Sequence, residues 1–533
     1  MSTTIRLQMN ELAAGICAAG EMMTVFSEKS LSSYSCFHEE AMYSLGFDVG
    51  SSSVKVALLD VEKGVCVASS VNPRVEMPIS APEKGWAEQD PEMWWKYFCE
   101  GVKDVASVCD LSKVVSIGIS YQMHGLVAVD RDLKPVRDAI IWCDSRAVRT
   151  GADALEGIGF EECMSRLLNS PGNFTASKLA WVKENEPEVY ERIWKFMLPG
   201  DYIAMRLTGG VATTQSGLSE QILWDFQAGC RADFVADWFG FDHALIPETV
   251  PSIGKSFATT REIESLLGIP AGTPVSYRAG DQPNNAFSLN VLEPGEIAAT
   301  AGTSGVVYGV TDVPKADAES RVNTFLHVNS TAAQPRYGVL LCINGVGIMN
   351  SWVHRNVAPQ HSYNEMNSLA ETVPVGSDGL RIIPFGNGAE RMLGNRSTGA
   401  GIVGLDLVRH DRNHVLRAVQ EGIAFSFRYG IDVMKEIGLR PNVIRAGMAN
   451  LFLSPLFRHT LATVCDARIE LLDTDGALGA ARGAALGAGF YRDASDAFAT
   501  LGSVGLVEPV PGWKEPLEDA YGGWKARLEE ELK

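Results

Sequence analysis

The sequence has ten cysteines but no Cys-x-x-Cys pair, and no His/Cys spacing that suits zinc. Scattered from Cys17 to Cys465, they read as reduced thiols of a cytoplasmic protein, not as a disulfide framework. No apolar run approaches the roughly 20 residues that cross a bilayer. Positive charge is in deficit: 46 Lys and Arg face 65 Asp and Glu, a formal net charge of −19. Neither nucleic acid nor a membrane is therefore expected as a partner. A few local cations and backbone N–H groups still suffice to hold an anionic substrate. The Gly-x-x-x-x-Gly-Lys-Ser/Thr phosphate loop is absent, as are the protein-kinase motif set and the Gly-x-Ser-x-Gly nucleophile elbow. There is no tandem repeat and no low-complexity segment.

What is present is length and ordinary globular composition. At 533 residues, 46% hydrophobic and 21% charged, the chain exceeds a single hydrophobic core, and two domains are expected. Residues 1–41 stand apart. Their short apolar stretch, residues 12–20, is flanked by Glu11 and Glu21, and Arg6 is the only basic residue ahead of it. That is poor material for a signal peptide. The expectation is a dispensable extension over residues 1–41, a first domain over 42–285 and a second over 286–533.

Two glycine-bearing hairpins dominate the remainder. Gly46-Phe47-Asp48-Val49-Gly50-Ser51-Ser52-Ser53-Val54-Lys55 lies between strands expected at residues 43–49 and 54–59. Ala299-Thr300-Ala301-Gly302-Thr303-Ser304-Gly305-Val306 lies between strands expected at 297–300 and 306–310. Glycine there allows the positive φ of a tight hairpin. Hydroxyls and bare amides at each tip can cradle phosphate oxygens. One such hairpin reads as a plain turn. Two, one in each half, suggest a duplicated α/β fold that grips a nucleotide from both sides.

Other segments carry candidate chemistry. Asp90-Pro91 opens a helix with an aromatic face of Trp94, Trp95 and Phe98. A strand over 114–120 runs into Gln122-Met123-His124-Gly125, and one over 274–277 runs into Gly280-Asp281-Gln282. Asp48, inside the first hairpin, reads as a carboxylate that positions Mg2+ or as the acceptor of an Asx turn. Asp281, where a strand meets a helix, reads as a base for a substrate hydroxyl or as an N-cap. His124 reads as a satisfied structural histidine, or as a site residue at a strand end, where α/β sheets place their sites. Trp86-Ala87-Glu88-Gln89 reads as a packing turn in preference to a sugar platform. Gly345, Gly347, Gly447 and Asn450 lie at helix starts in the second half, where open backbone suits a nucleotide. Residues 476–481 form a small-residue helix that permits close packing.

Taken in order, from about Tyr43 onward, these segments resemble the FGGY carbohydrate kinases, within the sugar kinase/actin/heat-shock ATPase superfamily. The residues that carry the resemblance are the first hairpin, Trp86-Ala87-Glu88-Gln89-Asp90-Pro91 with Trp94-Trp95, and above all Gln122-Met123-His124-Gly125. The last resembles the segment that xylulose-phosphorylating members use for the ketose. Glycerol-phosphorylating members have Arg-Glu in place of Met-His.

The resemblance implies two duplicated ribonuclease H-like (actin-like ATPase) domains with an interdomain cleft. It implies ATP and Mg2+ as cofactors, D-xylulose as substrate, pentose catabolism, and a homodimer as the assembly to test. It implies Asp281 as the general base for the sugar 5-hydroxyl, with Met123, His124, Asp281 and Gln282 contacting the sugar. Asp48 would act through Mg2+ and phosphate. Ser52 and Lys55 would lie near the transferring phosphate with Thr303 opposite, and Gly347, Gly447 and Asn450 would lie against ADP.

Three segments depart from the family pattern. Gln282 follows Asp281 where Asn is common, a glycerol-kinase-like feature. Arg445-Ala446-Gly447 stands where Gly-Gly-Gly or Gly-Gly-Ala is usual. Asn387-Gly388-Ala389-Glu390-Arg391 replaces Ser-Gly-Glu-Arg. The alternatives are a kinase for another ketose or polyol, and a non-catalytic sugar- or nucleotide-binding regulator. Joint retention of Asp48, Asp281 and both hairpins speaks against the regulator.

Overall fold

The computed structural model describes residues 41–533. The expected extension, but for its last residue, lies outside the described residues. The first sheet has five strands: β1 (Tyr43–Val49), β2 (Val54–Asp60), β3 (Val65–Asn72), β4 (Val114–Tyr121) and β5 (Val275–Gly280), in the order β5-β4-β1-β2-β3. β1, β2 and β3 form an antiparallel meander, and β4 and β5 run parallel to β1. Leu45, Phe47, Val49, Val54, Val56 and Leu58 are fully buried because both faces of the sheet are covered. On one face lies α1 (Pro91–Ala106), started by an Asp90 cap that accepts from the Glu92 N–H. Its Phe98 ring stacks on Phe47 at 3.9 Å between centroids.

Between β4 and β5 an insertion carries α2 (Thr175–Asn185), α3 (Pro199–Thr208) and α4 (Gln215–Glu220). β5 then runs directly into α5 (Asp281–Ser288).

The second sheet has seven strands: β6 (Glu296–Ala301), β7 (Gly305–Thr311), β8 (Asn323–Leu326), β9 (Tyr337–Ile343), β10 (Val443–Gly447), β11 (Arg468–Leu472) and β12 (Ser503–Val507). Their order is β8-β9-β7-β6-β10-β11-β12. Without the added β8 and β12, this is the first sheet again. β6, β7 and β9 form the antiparallel meander, and β10 and β11 lie parallel to β6 on its other side. The helices of this half are α6 (Gly347–Val357), α7 (Arg412–Glu436) and α8 (Gly476–Ala488), the last following β11 as α5 follows β5. The duplicated ribonuclease H-like architecture is thus present in strand order and direction. Among the described residues no helix is long and apolar enough to cross a membrane.

α8 does not stay with its own sheet. It lies on β1, β4 and β5 of the first sheet, at a separation only glycine allows. A Cβ on Gly46 would sit 2.0 Å from the Ala477 carbonyl oxygen, and one on Gly118 would sit 2.0 Å from that of Ala480. Ser44 Oγ donates to the Ala481 carbonyl at 2.7 Å, and Ser276 Oγ to that of Ala484 at 2.8 Å. The small residues expected at 476–481 are those that let the helix approach.

The hairpin glycines differ from expectation. Neither Gly50 nor Gly302 adopts a positive φ; of the candidate site residues, His124 (φ 60) and Asn450 (φ 54) do. The first loop closes through the Gly50 N–H on the Ser53 carbonyl at 3.0 Å, which needs no left-handed residue.

Gly118→Val should lower stability by about 3 kcal/mol or more, because the clash is with helix backbone that no side-chain rotation relieves. Gly512→Ala, where nothing lies within 4 Å, is the neutral control. Urea denaturation of both variants checks this, and equal midpoints would contradict it.

Candidate active site

The first hairpin supplies a carboxylate and an ammonium from facing positions, since Asp48 and Lys55 are register partners across β1 and β2. Asp48 does not cap the turn. Its Oδ1 accepts from Ser120 Oγ on β4 at 2.8 Å. Lys55 Nζ reaches Asp475 Oδ2 at 2.7 Å, although 420 residues separate the two. Asp475 is the N-cap of α8, its Oδ1 accepting from the Leu478 N–H at 3.0 Å. The seating of α8 on the first sheet is therefore what carries Asp475 to the hairpin. Burial holds the Asp48 carboxyl above the ordinary carboxylate range, Asp475 adds to this, and Ser120 and Lys55 oppose it.

Asp281 is the first residue of α5, and Gly280 is the cap, so the N-cap reading fails. Its carboxyl accepts from Gln282 Nε2 at 3.2 Å. Burial and the charge of Asp48 push Asp281 up to about 7, against Gln282 and the helix-start backbone amides. Asp48 and Asp475 thus share the Lys55 ammonium, and Asp281 faces the charge of Asp48. Among the described residues no group of three or more His, Cys, Asp or Glu forms a ready metal cage. A cation held by one or two carboxylates together with phosphates suits such a donor set.

Beside Asp281 lie Met123 and His124. A Cβ on Gly280 would meet Met123 Cγ at 2.5 Å, so Met123 packs directly under the peptide that leads to Asp281. His124 Nδ1 hydrogen-bonds the Glu220 carbonyl at 3.0 Å, and Lys178 Nζ donates to the carbonyl of His124 at 2.8 Å. These two contacts hold a non-glycine residue in the left-handed region. Burial pushes the imidazole down to about 3, so it is neutral, and with Nδ1 donating, Nε2 is left as an acceptor. Burial also pushes the Lys178 ammonium down to about 7.

The packing turn braces the first hairpin: Gln89 Nε2 donates to the Ser51 carbonyl at 2.7 Å. Trp86 lies over the Arg146 guanidinium at 3.8 Å, and Arg146 pairs with buried Asp144 at 2.7 Å.

The remaining expected residues gather at the second hairpin. The Gly347 N–H donates to the Gly302 carbonyl at 2.9 Å and the Ile348 N–H to the Thr303 carbonyl at 3.2 Å. A side chain at Gly347 would collide with the Gly302 carbonyl at 2.1 Å. Asn450, with φ 54, places Nδ2 3.5 Å from the Cβ position of Gly302. Gly447 lies beside the Thr474 carbonyl, at 3.9 Å from its Cβ position, which joins this group to Asp475. Ser52, Thr303 and Asn450 are exposed. Arg445 is turned away, bound to Glu296 and Glu470 at 2.8 Å each, so the departure from glycine there does not occupy this region.

Asp475 and Glu220 were not singled out in sequence, and Arg146 and Lys178 stand there only as a neighbour of a strand end and a member of a helix, without a role. Asp475 alone left a signal there, as an acidic residue ahead of a small-residue helix.

The chain matches two adjacent family models. One is the FGGY family of carbohydrate kinases, N-terminal domain, over residues 43–288, and the other its C-terminal domain, over 297–490. A xylulose kinase of Lactococcus lactis is 31% identical over 74% of this chain and 77% of its own length. A crystal structure of xylulose kinase from Rhodospirillum rubrum superposes with a TM-score of 0.82 at 24% identity, covering 92% of this chain and 98% of that one. A gluconate kinase from Lactobacillus acidophilus superposes with a TM-score of 0.84 at 22% identity, covering 92% and 99%. At those identities the two structures speak for the fold.

A carboxyl raised from 3.8 to about 7 adds stability fully below pH 4 and loses it as pH rises to 7. Asp281→Asn should therefore melt higher than the parent, with a gap that opens between about pH 4 and 7 and is constant above. Scanning calorimetry across that range checks it. A gap of the same size at pH 4 and pH 8 would contradict the raised carboxyl.

Proposed function

The chain belongs to the FGGY family of carbohydrate kinases, and from that premise we propose that it transfers the γ-phosphoryl group of ATP to the 5-hydroxyl of D-xylulose. The observation that carries this reading is the position of Asp281, between the Asp48–Lys55 hairpin on one side and Met123 on the other. The names of curated relatives favour the ketose.

Phosphoryl transfer asks little covalent chemistry of a protein beyond alignment and charge. Asp281, ionised, takes the proton of the sugar 5-hydroxyl at a carboxylate oxygen while the hydroxyl oxygen, freed of it, bonds the γ-phosphorus. The bond from the γ-phosphorus to the bridging oxygen breaks and ADP leaves. A carboxyl held near 7 suits a base that must be ionised at neutral pH yet keep proton affinity. Gln282 steadies the carboxylate through its amide. Met123 offers an apolar wall, and His124 Nε2 accepts from a sugar hydroxyl. Lys55 and the amides and hydroxyls near Ser52 and Thr303 cradle the phosphates, and Gly347, Gly447 and Asn450 leave room for ADP. Asp48 would hold Mg2+, which would supply neutralising charge on the phosphates. Closure of the halves excludes water, so the sugar hydroxyl competes successfully for the phosphoryl group.

A second reading, a polyol or aldonate as acceptor, is favoured by Gln282, whose amide stands beside the base and can read an extra hydroxyl. ADP-release rates over xylulose, ribulose, gluconate, glycerol and rhamnulose decide between them. D-xylulose should give the highest kcat/KM, and a higher value for gluconate or glycerol establishes the second reading. Asp281→Ala should lose about 10³-fold in kcat while ATP binding, read by fluorescence titration, persists. Retained sugar-dependent turnover in that variant would refute the base assignment.

A further inference from the structure

Glu220, at the end of α4, is a fully buried carboxyl that the proposed mechanism leaves unused. It touches two parts of the site. Its Oε2 lies 2.5 Å from where a Cβ of Gly280 would be, the point Met123 Cγ also approaches at 2.5 Å. Its backbone carbonyl holds the His124 ring. We propose that Glu220 is a positioning residue for Asp281: a carboxylic acid that stays neutral beneath the Gly280–Asp281 peptide, so that Asp281 can ionise beside it. The inference rests on Asp281 as the base of the proposed reaction.

The charges around Glu220 argue for the neutral form. Asp201 faces it from α3 and Asp281 from α5, while Tyr121 on β4 and Tyr308 on β7 face it with phenols. Neutral His124 adds no charge. Of the cations near it, Arg278 on β5 pairs with Asp201 at 2.8 Å and donates to the Ala212 carbonyl at 2.9 Å, and Lys178 on α2, pushed down to about 7 by burial, donates to the His124 carbonyl at 2.8 Å. Glu220 forms no ion pair among the described residues. An ionised Glu220 would be a buried charge between two acids without a counterion. Burial first, then Asp201 and Asp281, hold it well above the ordinary carboxyl range, against Tyr121. Glu220 Oε1 and Tyr121 Oη are both buried without a well-oriented partner.

The consequence for the reaction is directional. Asp281 already carries the repulsion of Asp48. A second negative charge at Glu220 would delay its ionisation to still higher pH. With Glu220 neutral, Asp281 loses its proton first. When pH rises far enough to ionise Glu220 as well, two adjacent carboxylates repel and the base is displaced. Glu220 thus sets the alkaline limb of activity, and Asp281 the acidic one.

Infrared spectroscopy of the whole protein at pH 8 tests the protonation state directly. The parent should show the carbonyl stretch of a protonated carboxylic acid, and Glu220→Gln should lack it. Glu220→Asp, which keeps the acid and moves the band, serves if the Gln variant does not fold. In the pH profile of kcat/KM, Glu220→Gln should move the alkaline limb up by about one unit or more and leave the acidic limb in place. No protonated-acid band at pH 8, an acidic limb moved down, or an unmoved alkaline limb would each overturn the proposal. If no sugar of the panel is phosphorylated, the proposed reaction fails, while the infrared band still decides the state of Glu220.

Discussion

The close seating of α8 on the first sheet is the contact on which the site depends. The helix belongs by sequence to the second half, yet its carbonyls occupy the space left empty by Gly46 and Gly118. Close packing of backbone on backbone tolerates no added methyl group. It fixes the end of α8 beside the first hairpin, and so brings Asp475 to Lys55 across 420 residues of chain. A loose docking of the same helix would leave Asp48 and Lys55 as an isolated hairpin pair.

Once Asp475 is there, electrostatics follow from counting. Asp48 and Asp475 share one ammonium, Asp281 faces Asp48, and the two that are most enclosed, Asp48 and Asp281, are raised above their ordinary range. That arrangement is unfavourable for the protein alone. It becomes favourable when cationic charge and a proton-bearing substrate arrive, which is a common property of catalytic pockets. Strain and charge are concentrated at the same place: His124 holds a left-handed backbone one residue from Met123, and its neighbours Lys178 and Glu220 are buried charge-bearing groups held in their less charged forms.

Much of this was legible in sequence. β-branched runs marked the strands of both hairpins, and the duplicated meander followed from finding two such hairpins. Asp48, Met123, His124 and Asp281 stood out in sequence because each follows or ends a buried strand, where α/β sheets expose side chains. Residues whose meaning lies in distant partners were not legible. Asp475 meets Lys55 only because α8 crosses to the other sheet, and no local motif marks Glu220, which lies beside Gly280 only once α4 is folded there. The expected positive φ at Gly50 and Gly302 failed because loop length and one Gly50–Ser53 hydrogen bond close the first hairpin with ordinary backbone. Arg445, a departure from the family pattern, is explained by ion pairs to Glu296 and Glu470 that no local motif announces.

The central claim is that the two halves together direct a phosphoryl group onto a ketose hydroxyl and away from water. Phosphorus NMR of the protein with ATP and D-xylulose tests it most directly. The account predicts ADP and one sugar phosphomonoester, on the 5-oxygen, formed in equal amounts. Release of inorganic phosphate without a sugar phosphate would contradict it.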